Sequence, residues 1–298
     1  MHPFLKCLRI RQWTKNVVLF AGLAYSGGAF DTDKIFTSVC AFAAFCLGSS
    51  AVYVINDLLD RERDRLHPVK KLRPIASGKI SSRQALVLAS ILTLASLGIA
   101  VTVGNMLWAL LGYFLLQAFY TPLLKHIVLL DVFSIAAGFS LRVLGGVWAV
   151  DAILSPWLVA CTVQLALFLA LCKRRAEVAN LEGSGGEAAQ RPILAAYASP
   201  GTDMMVGMVG AVLLVTYTLY TLLPANVLAV STPGLVSRAG APGMVFTLPF
   251  VYYGVLRYLF LVYGHGKGEH PERVATMDLP MILAGLGFAS VAAYVIYF

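Results

Sequence analysis

An amide and several carboxylates crowd one short stretch of an otherwise apolar chain. Asn56, Asp57, Leu58, Leu59, Asp60, Arg61, Glu62, Arg63, Asp64 and Arg65 follow directly on a hydrophobic run. Asn56, Asp60 and Asp64 fall at i, i+4 and i+8, which puts them on one face if the stretch is helical. Such a face offers hard oxygen ligands suited to Mg2+, which uses one or two carboxylates and completes its shell with water and substrate phosphates. A metal-bound pyrophosphate is the ligand this implies. The pattern also suits an amphipathic juxtamembrane helix whose acids pair with Arg61, Arg63 and Arg65. Asn56 and Asp57 fit that second reading less well, because polar groups at the membrane edge are costly.

The elements that carry this stretch are apolar. Hydrophobic residues make up 59% of the 298 positions and charged residues only 13%, against about 25% charged in an average soluble domain. Runs long enough to cross a bilayer fall near 16–34, 36–55, 84–104, 106–124, 127–149, 156–172, 203–223, 243–263 and 279–297. The expected fold is an all-α integral membrane bundle of about nine helices, with residues 1–298 as a single domain. The cuts near 35 and 105 are the weakest, since only Gly27, Gly28, Asp31 and Asp33 mark the first, and Gly104 and Asn105 the second. No small-residue cleavage site follows the first apolar run, so no signal peptide is expected.

Nine spans with the N-terminus inside place nineteen of the 23 lysines and arginines on one side. The positive-inside bias makes that side cytoplasmic, and the expected location is the plasma (inner) membrane, crossed several times. The net charge of +8 is therefore concentrated on one face, where part of it anchors the chain to anionic headgroups. No internal repeat and no water-soluble domain are evident, and nucleic acid is not an expected partner.

The motif NDLLDRERD, entered from a hydrophobic helix and followed by RPIASG at 73–78, resembles the first aspartate-rich motif of the UbiA superfamily of membrane prenyltransferases. The resemblance implies a nine-helix bundle with a cytoplasmic-side active site, with Asn56, Asp60 and Asp64 as catalytic and Mg2+-holding residues. Members that use a polyprenyl pyrophosphate carry a second aspartate-rich motif in the loop after the sixth helix. Here that place reads Cys172, Lys173, Arg174, Arg175, Ala176, Glu177, and a run of cations suits a bare phosphate better than a metal.

RIRQWTKN at 9–16, the stretch from Tyr120 and Lys125 to Asp131, and GKGEHPERVATMD at 266–278 are similar to the decaprenyl-phosphate phosphoribosyltransferase branch. That branch moves 5-phosphoribosyl from phosphoribosyl pyrophosphate to a polyprenyl phosphate and releases pyrophosphate. The resemblance implies substrate contacts at Lys15, Asp57, Lys71, Arg73, Tyr120, Lys125, Arg142, Lys173 and Arg174. Phosphoribosyl pyrophosphate, a polyprenyl phosphate lipid and the membrane are then the partners, with a homo-oligomer compatible.

Bland readings stand beside these. The five histidines, His2, His67, His126, His265 and His270, show no metal-ligand spacing and fall to loops and interfaces. Cys7, Cys40, Cys46, Cys161 and Cys172 form no CxxC pair and read as small apolar side chains. Arg142 lies about three turns after Asp131, so the two pair or line a cavity. Gly145 and Gly146 permit close helix packing, GHGKG at 264–268 is not by itself a phosphate loop, and the polar loop 182–191 covers the site or simply connects helices. The competing functions are a UbiA-type prenyltransferase acting on an aromatic or other small acceptor, and a transporter. The transporter reading conflicts with ionisable residues that cluster at one face rather than across the midplane.

Overall fold

The computed structural model describes residues 2–183, 193–223, 242–265, 274 and 277–298. The regular elements among them are helical. They run α1 (Pro3–Cys7), a 3-10 stretch (Ile10–Leu19), α2 (Phe20–Tyr25), α3 (Thr32–Leu59), α4 (Arg61–Leu66), α5 (Ser82–Thr102), α6 (Met106–Tyr120) and α7 (Leu130–Ala149). There follow α8 (Pro156–Gly183), α9 (Ile193–Ala196), α10 (Pro200–Leu222), α11 (Leu248–His265) and α12 (Leu279–Tyr297). Residues 184–191 of the polar loop, and 266–273 with His270, lie outside the described residues.

Among the described residues, seven helices are long and apolar enough to cross a membrane. The two expected spans that differ are 106–124 and 16–34. The 15 residues of α6 rise only about 22 Å at 1.5 Å each, against a hydrocarbon core of about 30 Å. Pro122, which has no N–H, lies two residues past its last residue, Tyr120. The first segment is a tight 3-10 stretch and a short helix, not one straight span, and it runs against the backbone of α7. A side-chain carbon built on Gly146 would sit 1.9 Å from the carbonyl oxygen of Leu19, and one on Gly22 would sit 2.4 Å from that of Gly146. Gly146→Ala is therefore expected to force the two backbones apart at a cost of about 1–3 kcal/mol or more, read as an earlier thermal transition of the detergent-solubilised protein; an unchanged transition would contradict this contact.

The chain forms two compact units. The first comprises Met1–Ala24, Gly28–Pro122 and Leu141–Ala152. There Asp31 starts α3 by accepting the N–H groups of Asp33 and Lys34 at 3.0 and 3.2 Å, and Ser81 and Gln84 start α5 with a reciprocal capping box. Small residues, Ala41, Ala44, Ala100 and Ala109, let α3, α5 and α6 approach around Phe45, Leu110 and Tyr113. Ile75 and Ile80, each 1% exposed, pin the loop after α4 onto Ala51, Val54, Ala85 and Ala89. That loop carries Arg73, so its backbone is fixed by burial and not by regular structure.

The second unit comprises Tyr25–Gly27, Leu123–Ser140 and Ile153–Phe298. Phe168, Leu171, Cys172, Tyr258 and Leu261 form its main core, and Tyr217, Tyr220, Met244, Ala292 and Ile296 a second. Asp278, the last residue of the 266–278 motif, caps α12 by accepting the N–H of Met281 at 3.1 Å. It also takes a bidentate pair from Arg257 at 3.0 and 3.3 Å, so its role is to start a helix.

Candidate active site

The 28 residues of α3 span about 42 Å, some 12 Å more than the hydrocarbon core. Its polar last turns therefore need not lie in lipid, and there the acidic motif sits. Asp60 leaves helical geometry (φ −86°, ψ 4°) between α3 and α4. The backbone bonds from Asp60 N–H to Asn56 at 2.9 Å and from Asp64 N–H to Asp60 at 2.8 Å nevertheless keep the i, i+4 links.

The acids that come together are Asp57 and Asp64, 4% and 3% exposed. Arg73 donates to both, at 3.0 Å to Asp57 and 2.6 Å to Asp64, and Arg9 pairs with Asp57 as well. Two carboxylates and two guanidiniums cancel in charge, which is what burial of such groups requires. Arg9 reaches this place from a left-handed backbone (φ 50°), its guanidinium 4.9 Å from the centre of the Tyr53 ring. Asn56 is held separately, its Oδ1 accepting the Thr121 hydroxyl at 2.7 Å. Asp60 is half-buried, Lys71 is exposed beside Arg73, and Lys15 is half-buried in the 3-10 stretch.

The competing pairing of the acids with Arg61, Arg63 and Arg65 does not describe the buried pair. Arg65 binds Glu62 at 3.0 Å and the Ala76 carbonyl at 3.1 Å, and Arg61 binds Ser82 at 2.9 Å. His67 also has a local role, its Nδ1 accepting the N–H groups of Val69 and Lys70 at 3.1 and 3.3 Å.

Arg142 is 6% exposed. Its Nε donates to Asn16 at 2.7 Å, its Nη2 to the Tyr113 hydroxyl at 3.3 Å, and Asn16 passes the network on to Cys46 and Ser49. Asp131, its expected partner, is engaged by Arg174 and Tyr197. Each therefore has partners of its own, and Arg142 is a buried link within the first unit.

In the second unit the cation run is not a loop. Lys173 to Glu177 lie inside α8, which continues to Gly183, because KRRAEVANLE is built of helix formers with i, i+3 and i, i+4 pairs. Arg174, 5% exposed, donates to Asp131 at 2.8 Å and pairs with Glu177, and Arg175 donates to Asp203 at 2.9 Å. Lys173, more exposed, stands 3.8 Å from Glu177. The planar fork of Arg174 is shared by two carboxylates, and Lys173 is the more exposed of the two cations.

Tyr197, 0% exposed, donates to Asp131 and accepts the N–H of Leu129 at 2.9 Å. Burial, and next its bond to Asp131, push its phenol well above the usual range, so the hydroxyl stays protonated and donates. Arg9, Thr121 and Tyr197 escaped the sequence reading because their partners are 48, 65 and 66 residues away. Lys125 lies between α6 and α7 in a 3-10 turn, Leu124–His126, and Tyr120 is the last residue of α6.

The donor chemistry near Asn56 fits Mg2+. Among the described residues no three His, Cys, Asp or Glu side chains gather into a self-sufficient metal cage. Asn56, Asp60 and Asp64 offer only hard oxygens in series along the α3–α4 junction, the sparse set that a Mg2+ ion completes with water and substrate phosphates.

The five cysteines form no disulfide, and Cys7, Cys46 and Cys172 are buried. Burial, and then the charge of Asp57, push the Cys7 thiol up to about 11, with Arg9 acting the other way. Since the thiolate is the reactive form, alkylation of Cys7 should be slow at pH 7.5, rise with pH toward 11, and quicken at fixed pH in Asp57→Asn. Mass spectrometry of the Cys7 peptide checks this, and rapid labelling at pH 7.5 would contradict it.

Comparison with known proteins adds to this geometry. Residues 16–274 match the family described as the UbiA prenyltransferase family. A curated decaprenyl-phosphate phosphoribosyltransferase from Mycolicibacterium smegmatis is 32% identical across 99% of this chain and 92% of its own length. Another of the same name from Mycobacterium tuberculosis is 32% identical over 98% of this chain and 94% of its own. Among solved structures, a UbiA homologue from Archaeoglobus fulgidus bound to GPP and Mg2+ superposes with a TM-score of 0.69 at 18% identity, covering 99% of both chains.

Proposed function

The chain belongs to the UbiA prenyltransferase family and is a multi-pass membrane protein, and from that premise we propose that it transfers 5-phosphoribosyl from phosphoribosyl pyrophosphate to a polyprenyl phosphate. The observation that carries this reading is near full-length similarity to curated decaprenyl-phosphate phosphoribosyltransferases. Lys173, on a turn of α8 where pyrophosphate-using members of the family are expected to carry acids, supports it.

Residues 1–298 are proposed to act as one transmembrane domain in the plasma membrane, the N-terminus cytoplasmic. The Ile10–Tyr25 segment and α6 would bring seven long spans to nine, which is the arrangement that gathers the cations on one side. The active site belongs on that side.

The reaction breaks the C1–O bond of the donor, its electron pair leaving with pyrophosphate, while an oxygen of the lipid phosphate forms the new bond to C1. Asn56, Asp60 and Asp64 would hold Mg2+, the metal carried by the solved homologue, and when bound it would supply charge that neutralises the departing pyrophosphate. Arg9 and Arg73 hold Asp57 and Asp64 in place, and Thr121 orients Asn56. Lys15, Asp57, Lys71, Arg73, Tyr120, Lys125 and Lys173 are the proposed substrate contacts. The nucleophile needs no strong general base, because the second pKa of a phosphate monoester is about 6.

The test is a membrane-fraction assay with polyprenyl phosphate, Mg2+ and phosphoribosyl pyrophosphate labelled in the ribose, run beside labelled polyprenyl pyrophosphate with aromatic acceptors. Label passing from the sugar donor into lipid is expected; label passing only from the prenyl donor would make the protein an ordinary prenyltransferase. Lys173→Ala is expected to raise the apparent KM for the donor roughly tenfold with kcat little changed, as loss of ground-state phosphate binding does. Unchanged donor kinetics would return Lys173 to a topological role.

A further inference from the structure

We propose that Tyr197 is a positioning residue of this site: its hydroxyl braces the Leu129 reversal that follows the Lys125 turn and the Asp131 carboxylate that grips the turn of α8 carrying Lys173. The inference rests on the phosphoribosyl-transfer reading and deepens it, since both lysines are its proposed phosphate contacts.

The tie is a short chain of bonds inside the second unit. Lys125 lies in the 3-10 turn Leu124–His126, and the chain then reaches α7 through Leu129, which stands in the left-handed region at φ 68°. A leucine rarely adopts that conformation, so something must hold it there. The Leu129 N–H donates to the Tyr197 oxygen at 2.9 Å, and the Tyr197 hydroxyl donates onward to Asp131. The second oxygen of Asp131 receives Arg174 Nε at 2.8 Å, one residue after Lys173. Tyr197, Asp131 and Arg174 are 0%, 1% and 5% exposed, so water does not compete for these bonds.

One hydroxyl thus fixes a backbone reversal on one side and a buried carboxylate on the other. A tyrosine that merely filled space in this core would be replaced by phenylalanine without kinetic consequence. A tyrosine that positions the lysines would not be, because Tyr197→Phe leaves the Leu129 N–H without this acceptor and Asp131 with Arg174 alone of the two donors, so that the turn and the pair both loosen.

The experiment compares full-length Tyr197→Phe, Lys125→Ala, Lys173→Ala, Lys71→Ala and the doubles that combine Tyr197→Phe with each lysine variant, using phosphoribosyl pyrophosphate as the varied substrate. Tyr197→Phe is expected to raise the donor KM by roughly tenfold while kcat changes by less than about twofold. Its effect should be largely lost when Lys125 or Lys173 is already alanine, and should add to that of Lys71→Ala, which lies outside the tie. An unchanged KM, or full additivity with Lys125→Ala and Lys173→Ala, overturns the proposal. Where Tyr197→Phe does not fold, Tyr197→Phe/Leu129→Gly supplies a chain without the hydroxyl, since glycine takes the left-handed backbone unaided. Hydrogen exchange at the Leu129 amide separates the two failures. No sugar transfer by the native protein removes the function reading, whereas equal exchange in native protein and Tyr197→Phe removes the tie itself.

Discussion

Asp64→Ala should lower Mg2+-dependent transfer of labelled phosphoribosyl into lipid by roughly 10³-fold while the protein remains folded. The fold should survive because Arg73, 31% exposed, keeps its 3.0 Å bond to Asp57, and water reaches the one positive charge left over when Arg9 and Arg73 share a single carboxylate. Catalysis should not survive, because the departing pyrophosphate then lacks part of the charge that holds its metal. Asp64→Asn tests the same point with shape conserved, and it should be nearly as defective if charge is what matters. Asp60→Ala should behave likewise and recover partly as Mg2+ is raised. Asp203→Ala is the comparison: its carboxylate, 43% exposed, serves an ion pair with Arg175, and its loss should change turnover by less than about twofold, as exposed pairs usually do. Full activity in Asp64→Ala would remove the metal site from this motif.

The acidic motif was legible in the sequence because polar groups at Asn56 and Asp57 interrupt an apolar run, and such an interruption needs a reason in a membrane chain. Its immediate partners were not. Arg9 reaches Asp57 only from a left-handed backbone, which no residue pattern announces, and Thr121 reaches Asn56 across 65 positions. Hydropathy marks the seven long spans present among the described residues but gives 16–34 as an ordinary one. Apolarity reports burial and says nothing of the 3-10 geometry that Ile10–Leu19 adopts where Leu19 meets Gly146. The KRRAE run shows the opposite case. Its i, i+3 spacing of Arg174 and Glu177 marks a helix, and α8 continues through it, whereas the family resemblance places a loop there.

Arg174→Ala should cost stability before it costs substrate affinity. The side chain is 6% exposed and its partner Asp131 1%, so truncation leaves a carboxylate buried without its cation, a change that typically costs about 3–5 kcal/mol. The expected readout is a markedly earlier thermal transition in detergent and a smaller yield of folded protein, with the donor KM of the folded fraction shifted far less than in Lys173→Ala. Arg174→Lys should restore only part of the stability, because an ammonium cannot present two edges to Asp131 and Glu177 as the guanidinium does. Combining Arg174→Gln with Asp131→Asn should cost less than the sum of the two single changes, since the double variant leaves neither member of that pair charged and Glu177 keeps Lys173. The contrary result, native stability in Arg174→Ala with a raised KM for phosphoribosyl pyrophosphate, would mean that the guanidinium leaves Asp131 to meet the donor. The ion pair would then be one state of a substrate-binding group, and the end of α8 would present two cations to the phosphates instead of one.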